Sequence, residues 1–246
     1  MKWFANVSEI EPPRWMTILL ALIAGFIDAC TFLGLYRLFV AQLTGSYVVA
    51  GTALFAPSWP EATVLLAGPV FFAAGMAATF VATTAGANGL PSLACALGLE
   101  TGLLAAFTGI MIFGAPFPES PPLSAFIAAM LGLSAMGVQS ALVRLLLRGV
   151  GSTNVMTTNT TQIAIEATRA ALTWALRHSG DPNTAREHEA ARRGLSKSVP
   201  LPLGFFVGIM TGALTYGFLG SWVLVLPTGI AGALTVWALF RVGGKG

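Results

Sequence analysis

Leu43-Thr44-Gly45-Ser46 and Met156-Thr157-Thr158-Asn159 place similar polar clusters 113 residues apart in a chain that is otherwise mostly apolar. Each cluster lies about twenty residues after a glycine in an apolar run, Gly25-Phe26-Ile27-Asp28 in the first half and Gly137-Val138-Gln139-Ser140 in the second. This repetition indicates an internal duplication. Polar atoms inside a membrane are costly unless they bond to each other, to a ligand or to water. The two clusters are therefore predicted to mark the functional centre.

The composition predicts an all-α integral membrane protein that forms one membrane domain over residues 1–246. Hydrophobic residues make up 55% of the chain, charged residues only 9%, and the mean hydropathy is +0.77. These values are too apolar for a soluble surface. The net charge of +3 does not form a basic stripe with interleaved aromatic residues. Membrane lipid is therefore the expected partner, and nucleic acid is not.

Eight apolar or semi-apolar segments can be distinguished along the chain. About 20 residues at 1.5 Å rise per residue span the hydrocarbon core of a bilayer. The sixth segment is too rich in Thr and Asn to face lipid, so it is predicted to be buried or only partly inserted. The segments are 16–35, 39–56, 62–84, 92–114, 123–143, 153–176, 203–219 and 222–240.

The positions of the basic residues distinguish three topologies. If all eight segments cross with the N-terminus inside, Arg37, Arg144 and Arg148 lie outside, against the usual excess of basic residues in cytoplasmic loops. If the second and sixth segments enter and leave on one side, six segments cross and only Arg37 lies outside. A seven-crossing arrangement with an external N-terminus leaves only Lys2 and Arg14 outside. We expect six crossings, with seven as the competing arrangement.

The six-crossing topology implies an inverted repeat with halves at about 16–114 and 123–240. Each half then has three crossings and one polar segment, and an odd number of crossings inverts the second half. Four crossings in each half would instead give a parallel repeat. The basic segment 177–199 is predicted to be a cytoplasmic loop that can touch anionic head groups. A glycine face at Gly204, Gly208 and Gly212 predicts close helix contacts, either within the bundle or between subunits of a homo-oligomer.

Three carboxylates are candidates for proton coupling: Asp28 and Glu100 within apolar segments, and Glu166 within the polar sixth segment. A carboxylate at membrane depth is costly unless it is protonated, paired or hydrated. It can serve as a proton or cation relay or contact a substrate. Alternatively, it can hydrogen-bond to a neighbouring helix and hold the bundle together.

The polar clusters and nearby residues form the predicted substrate-binding set. At a broken or dipping helix they can bind a solute at mid-membrane. Alternatively, the Thr hydroxyls bond to their own helices and serve packing. Catalysis by a Thr or Ser nucleophile lacks a histidine base at membrane depth, and no metal ligands stand at zinc-like spacing, so we expect neither an enzyme nor a metal or other cofactor. The set is Asp28, Gln42, Thr44, Ser46, Gln139, Thr157, Thr158 and Asn159.

The first half contains Ala24-Gly25-Phe26-Ile27-Asp28-Ala29, Phe32-Leu33-Gly34-Leu35 and Phe39-Val40-Ala41-Gln42-Leu43-Thr44-Gly45. These three stretches resemble the opening signature of the YoaK family, bacterial multi-pass membrane proteins built on one domain of unknown function. In the second half, Gly137-Val138-Gln139-Ser140-Ala141 and Met156-Thr157-Thr158-Asn159 are similar to later signatures of that family.

The resemblance covers roughly residues 16–241 and has three departures. Ser46 and Ser140 stand where the family usually has Asn, and Thr158 stands where it usually has Gly. The resemblance implies a bacterial plasma-membrane protein of six or seven helices, with no established activity.

The sequence therefore predicts a permease that moves a small molecule or ion through a mid-membrane polar site. The alternative is a non-transporting membrane scaffold or regulatory protein whose Thr clusters are structural. A membrane enzyme is the third hypothesis.

Overall fold

The computed structural model describes residues 12–53, 65–84, 89–118, 122–147, 156–176 and 182–243. These residues form nine α-helices and a 3₁₀ turn, so the predicted all-α class is confirmed. The helices are α1 (Arg14–Gly34), α2 (Leu43–Ala53), α3 (Ala67–Thr84), α4 (Gly89–Gly114), α5 (Leu123–Leu146), α6 (Met156–Leu176), α7 (Pro182–Ser198), α8 (Pro200–Leu219) and α9 (Val225–Gly243), with the 3₁₀ turn at Gly220–Leu224.

Five stretches of the described chain are long and apolar enough to cross a membrane. Helices suit this solvent because they satisfy their own backbone hydrogen bonds, which lipid cannot do. The stretches are Arg14–Gly34, Ala67–Thr84, Leu90–Gly114, Leu123–Leu146 and Asn183–Val242. The last is 60 residues long and contains most of α7, all of α8 and the 3₁₀ turn, and nearly all of α9. The chain is thus a multi-pass helical membrane protein.

Helices α1 and α8 pack closely and run parallel. Gly204, Gly208 and Gly212 of α8 lie against backbone carbonyls of α1 in order, from Ile18 to Phe26. A Cβ at any of these glycines would collide with that backbone. The predicted glycine face therefore makes contacts within one chain, where small residues let backbones approach.

The remaining apolar helices alternate in direction. The Ser92 hydroxyl of α4 donates to the Ala82 carbonyl of α3 across a short connection, so α3 and α4 are antiparallel. Phe107 of α4 lies against Gly132 of α5, with the connection between the helices at residues 115–122, so these two are also antiparallel. Helices α3 and α5 are consequently parallel.

Helix α9 runs antiparallel to both α4 and α1. Thr108 and Thr101 of α4 bond Thr228 and Thr235 of α9 in reverse order. The ring of Trp15, at the start of α1, lies 5.2 Å from that of Trp237, near the end of α9. Helices α1, α4 and α8 therefore point one way, and α3, α5 and α9 point the other.

The predicted second segment, 39–56, is not one helix, because a non-helical stretch precedes α2. Tyr36 and Arg37 have left-handed φ values of 52° and 60° and turn the chain back after α1. Val40 and Ala41 are then completely buried, and Val40 reaches Gly132 in the middle of α5. The 11-residue α2 is about 16 Å long, too short for a bilayer core of about 30 Å.

The segment 177–199, predicted as a polar loop, is largely the helix α7. Its residues 177–181 lie outside the described part of the chain. Helix α7 packs on α6, where the Thr173 hydroxyl lies 3.0 Å from Nδ1 of His188. Packing on α6 stabilises α7, although the polar composition of α7 did not indicate a helix.

Candidate functional site

The Asp28 carboxylate accepts three backbone hydrogen bonds from the non-helical stretch before α2. Oδ1 accepts from the N–H groups of Val40 at 2.8 Å and Ala41 at 2.7 Å, and Oδ2 accepts from Gln42 at 3.1 Å. Asp28 is only 2% exposed. Three successive N–H groups form an anion-binding nest, and the carboxylate satisfies donors that would otherwise be buried without partners. Asp28 therefore anchors this non-helical stretch inside the bundle.

The first polar cluster lies at the start of α2. Ser46 is buried, and its hydroxyl donates to the Phe39 carbonyl at 2.6 Å. The Gln42 carbonyl accepts the N–H of Gly45 at 2.9 Å, while the Gln42 side chain is half-buried. Thr44 is exposed. Ser46 thus bonds the chain just before its own helix, and Thr44 carries the exposed hydroxyl of the cluster.

The second polar cluster lies at the start of α6, at the other end of the bundle. Helix α2 follows the C-terminal end of α1, and α6 follows the C-terminal end of α5. Because α1 and α5 are antiparallel, these two C-terminal ends lie at opposite ends of the bundle. Thr157 and Thr158 are exposed, and Asn159 is half-buried. The Thr157 carbonyl accepts a hydrogen bond from the Thr161 hydroxyl within the helix, at 3.0 Å. The structure therefore does not gather the two clusters at one end.

Glu100 lies on the buried face of α4. Its side chain is 0% exposed, and neither carboxyl oxygen has a hydrogen-bond partner in the described part of the chain. The same helix face carries Leu97, Leu104 and Phe107, all fully buried. Glu100 is thus an acid in an apolar interior, without the compensating bonds that Asp28 has.

Gln139 of α5 lies at the same level of the bundle as Glu100. Phe107 of α4 meets Gly132 of α5. Glu100 lies two helical turns before Phe107, and Gln139 lies two turns after Gly132. Because the helices are antiparallel, both residues are displaced from the contact in the same direction. Gln139 is fully buried and donates its amide to the Leu20 carbonyl of α1 at 2.9 Å. Leu20 precedes Asp28 by eight residues, or about 12 Å along α1. The buried polar groups therefore occupy two levels.

Glu166 lies between α6 and α7, apart from these two levels. Its Oε1 accepts a hydrogen bond from Nε2 of Gln162 at 2.8 Å and is 3.9 Å from a guanidinium nitrogen of Arg169. Its carboxyl carbon packs against Gly194, where a Cβ would approach to 2.7 Å. Glu166 is therefore bound by local contacts within the polar helix pair.

Two hydroxyl pairs between α4 and α9 were not predicted. Thr101 and Thr235 are 2.9 Å apart, and Thr108 and Thr228 are 2.8 Å apart. The signal was available, because threonines recur in both apolar segments, but only tertiary contacts pair them. In the described part of the chain, no group of three or more His, Cys, Asp or Glu residues could hold a metal ion.

The fold and its buried polar groups define the class: a multi-pass helical membrane protein with acids at two levels of its interior. Residues 16–237 match the family described as "Protein of unknown function (DUF1275)", and the chain belongs to that family. The YoaK family is a family of this domain, so the resemblance is confirmed. No curated protein and no solved structure is significantly similar to the chain.

Proposed function

We propose that the protein is a permease for a small solute in the bacterial plasma membrane, with Glu100 as its coupling carboxyl. The observation that carries this proposal is the complete burial of Glu100 without a hydrogen-bond partner in the described residues. An unpaired charge in an apolar interior is very costly. The position must therefore hold a proton or receive a cation or solute, which is the behaviour needed to couple two fluxes.

The alternating helix directions support six crossings. Helices α1 and α3 point in opposite directions, and the short α2 lies between them, so the chain leaves and returns on one side there. Helices α6 and α7 likewise lie between the opposed α5 and α8. The crossings are then α1, α3, α4, α5, α8 and α9, with both termini on one side.

The basic residues support an orientation with both termini in the cytoplasm. Arg14, Arg144 and Arg241 lie at the same end of the bundle, at the start of α1 and near the ends of α5 and α9. The basic residues of α6 and α7 belong to that end as well. Of the nine described basic residues, Arg37 alone lies at the opposite end. This distribution follows the positive-inside rule.

Equivalent glycine contacts support an inverted repeat. Gly25 of α1, in the first half, meets the Phe205 carbonyl of α8, in the second. Conversely, a Cβ on Gly137 of α5, in the second half, would lie 2.8 Å from the Phe71 carbonyl of α3, in the first. Gly25 and Gly137 are 112 residues apart, and Phe71 and Phe205 are 134 apart. The difference of 22 residues is attributed to the longer α6 and to α7.

The Thr101–Thr235 pair supports a pseudo-two-fold axis between α4 and α9. These residues are also 134 apart, so the repeat relates each to the other. Two equivalent residues that bond to each other must lie on either side of the symmetry axis, close to it. In transporters of this architecture, one half rocks against the other about a central site. Glu100, next to Thr101, then lies beside the axis.

Cysteine accessibility tests the proposal without a known substrate. With Cys30 and Cys95 replaced by alanine, Glu100→Cys is compared with Ala238→Cys, which is also fully buried but lies in α9. An impermeant methanethiosulfonate is applied to vesicles of each orientation. We expect Glu100→Cys to react from at least one side and Ala238→Cys from neither. Absence of labelling at Glu100→Cys in folded protein would reject the permease.

The scaffold hypothesis is favoured by the internal bonding of the first cluster. Ser46 donates to Phe39, and the Asp28 carboxylate is occupied by three N–H groups. A scaffold needs no hydrated path, so it predicts equal protection of both cysteine variants.

A further inference from the structure

The parallel helices α3 and α5 leave an open groove of about 610 Å³ on the side of the bundle. This α3–α5 groove is lined by α3 between residues 71 and 83 and by α5 between residues 137 and 145. Gly75 and Gly137 are among its lining residues, and a Cβ on Gly75 would come no closer than 4.0 Å to the Gly137 carbonyl. The groove therefore has room for additional atoms at Gly75, whereas at Gly137 the two helices are in close contact.

One wall of the α3–α5 groove is an exposed apolar ladder. Phe72, Met76 and Phe80 follow one another by one helical turn and are 69%, 59% and 69% exposed. Only 22% of the apolar window of α3 is buried, the smallest share among the five stretches. In a membrane this wall faces acyl chains.

The end of the groove near the α5 C-terminus is polar and positive. Arg144 is exposed, and no described residue makes a hydrogen bond or ion pair with it. Ser140 lies one turn earlier on α5, and Thr79 and Thr83 lie on the α3 wall. None of the described residues that line the groove is acidic. A guanidinium above an apolar wall is complementary to a phosphate that carries an acyl chain.

We propose that the α3–α5 groove binds one anionic phospholipid, with its phosphate on Arg144 and an acyl chain along Phe72, Met76 and Phe80. The wall from residue 71 to residue 83 is about 18 Å long, enough for most of a fatty acyl chain. Arg144 lies at the basic end of the bundle, and anionic lipids are attracted to basic pockets between transmembrane helices on the cytoplasmic side.

The test is competition between phosphatidylglycerol and phosphatidylcholine on the purified full-length chain in mild detergent, with bound lipid counted by native mass spectrometry. We expect one phosphatidylglycerol per chain. Arg144→Gln should lower the preference for phosphatidylglycerol about five-fold, and Arg144→Lys should retain part of it. The matched control is Arg14→Gln, which removes an exposed arginine from the same end but outside the groove.

A second pair of variants tests the acyl site. Gly75→Leu fills the groove and should reduce retention of both lipids. Gly109→Leu, at a glycine of α4 with open space around it, should not. An unchanged lipid preference in Arg144→Gln overturns the proposal, as does an equal loss in Arg14→Gln. A dimer that Gly75→Leu dissociates also overturns it, because a second copy would then occupy the groove.

Discussion

Helices α2 and α6 begin at similar polar clusters but differ in how deeply the chain around them is buried. The stretch before α2 enters the bundle, where Val40 and Ala41 are completely buried. Helix α6 is 21 residues long, and Glu166 and Thr173 are its buried residues. The same local motif therefore does not determine how deeply a segment inserts. The two segments differ in the residue that precedes the cluster, which is Asp28 before α2 and Ser140 before α6. They differ also because α7 packs on α6.

The largest expected effect concerns two close glycine contacts, that of Gly25 with Phe205 and that of Gly137 with Phe71. Gly25→Ala would press a methyl group into the Phe205 carbonyl and separate α1 from α8, at a cost of about 3 kcal/mol. Gly137→Ala meets the Phe71 carbonyl at 2.8 Å and should cost about 2 kcal/mol. The measurement is reversible unfolding in mixed micelles.

Gly51→Ala is the control for this pair, because no atom of the described residues lies within 4 Å of a Cβ at that position. It should leave the free energy of unfolding unchanged or slightly higher. If Gly25→Ala behaves like Gly51→Ala, the α1–α8 contact is not close enough to require glycine.

The second prediction compares Asp28 with Ser140. Asp28→Asn replaces a carboxylate by an amide with one acceptor oxygen and an NH₂ group, which faces backbone donors. We expect a loss of about 2 kcal/mol in the free energy of unfolding. Hydrogen exchange should also quicken at the amides of residues 40–42.

Ser140→Ala is the matched variant in the second half and should change stability by less than about 0.5 kcal/mol. Equal effects of the two substitutions would mean that Asp28 does not distinguish the halves. A loss of transport in Asp28→Asn is compared with the fraction of that variant that is unfolded, so that loss of fold is not mistaken for loss of function.

The third prediction separates structural from solute-binding hydroxyls. Ser46→Ala removes a bond to the Phe39 carbonyl and should cost about 1 kcal/mol. Thr44→Ala and Thr157→Ala change exposed side chains and should stay within about 0.5 kcal/mol of the parent. If either exposed threonine contacts solute, its variant loses flux in proteoliposomes while its thermal unfolding remains unchanged.

The smallest effect is expected at Glu166. Glu166→Gln keeps an acceptor for Gln162 and loses only a 3.9 Å ion pair to Arg169, whose side chain is 67% exposed. Such pairs are weak, so stability should change by about 0.5 kcal/mol or less. A thermal-shift assay is sufficient. A loss of several kcal/mol would show that the α6–α7 pair depends on this charge.

Much of the fold could be predicted because apolar length and hydropathy determine which segments suit lipid. The boundaries of α1, α4 and α5 lie close to the predicted segments for this reason. Helix α7 was missed because a polar segment carries little evidence of a helix that is stabilised by packing on α6. The break before α2 was missed because it depends on left-handed Tyr36 and Arg37, residue types that do not announce such a turn.

The candidate residues were predicted as polar groups in apolar surroundings, but their partners were not. Asp28 bonds N–H groups 12 to 14 residues later, while Glu100, another acid in an apolar segment, has no partner in the described residues. In the sequence, Asp28 and Glu100 look alike, because each is a single acid within an apolar segment. Their different surroundings arise from how the chain folds back at residues 36–42.

The sequence by itself determined the solvent, the helical class and the family, because hydropathy and local motifs are properties of neighbouring residues. Only the tertiary structure decided which polar groups are satisfied, which glycines face a backbone carbonyl and which helices run parallel. These features depend on atoms brought together from distant positions, and the interaction energy of a buried polar group depends on those atoms. Through tertiary contacts alone, Asp28 became an anchor and Glu100 an acid with no partner among the described residues.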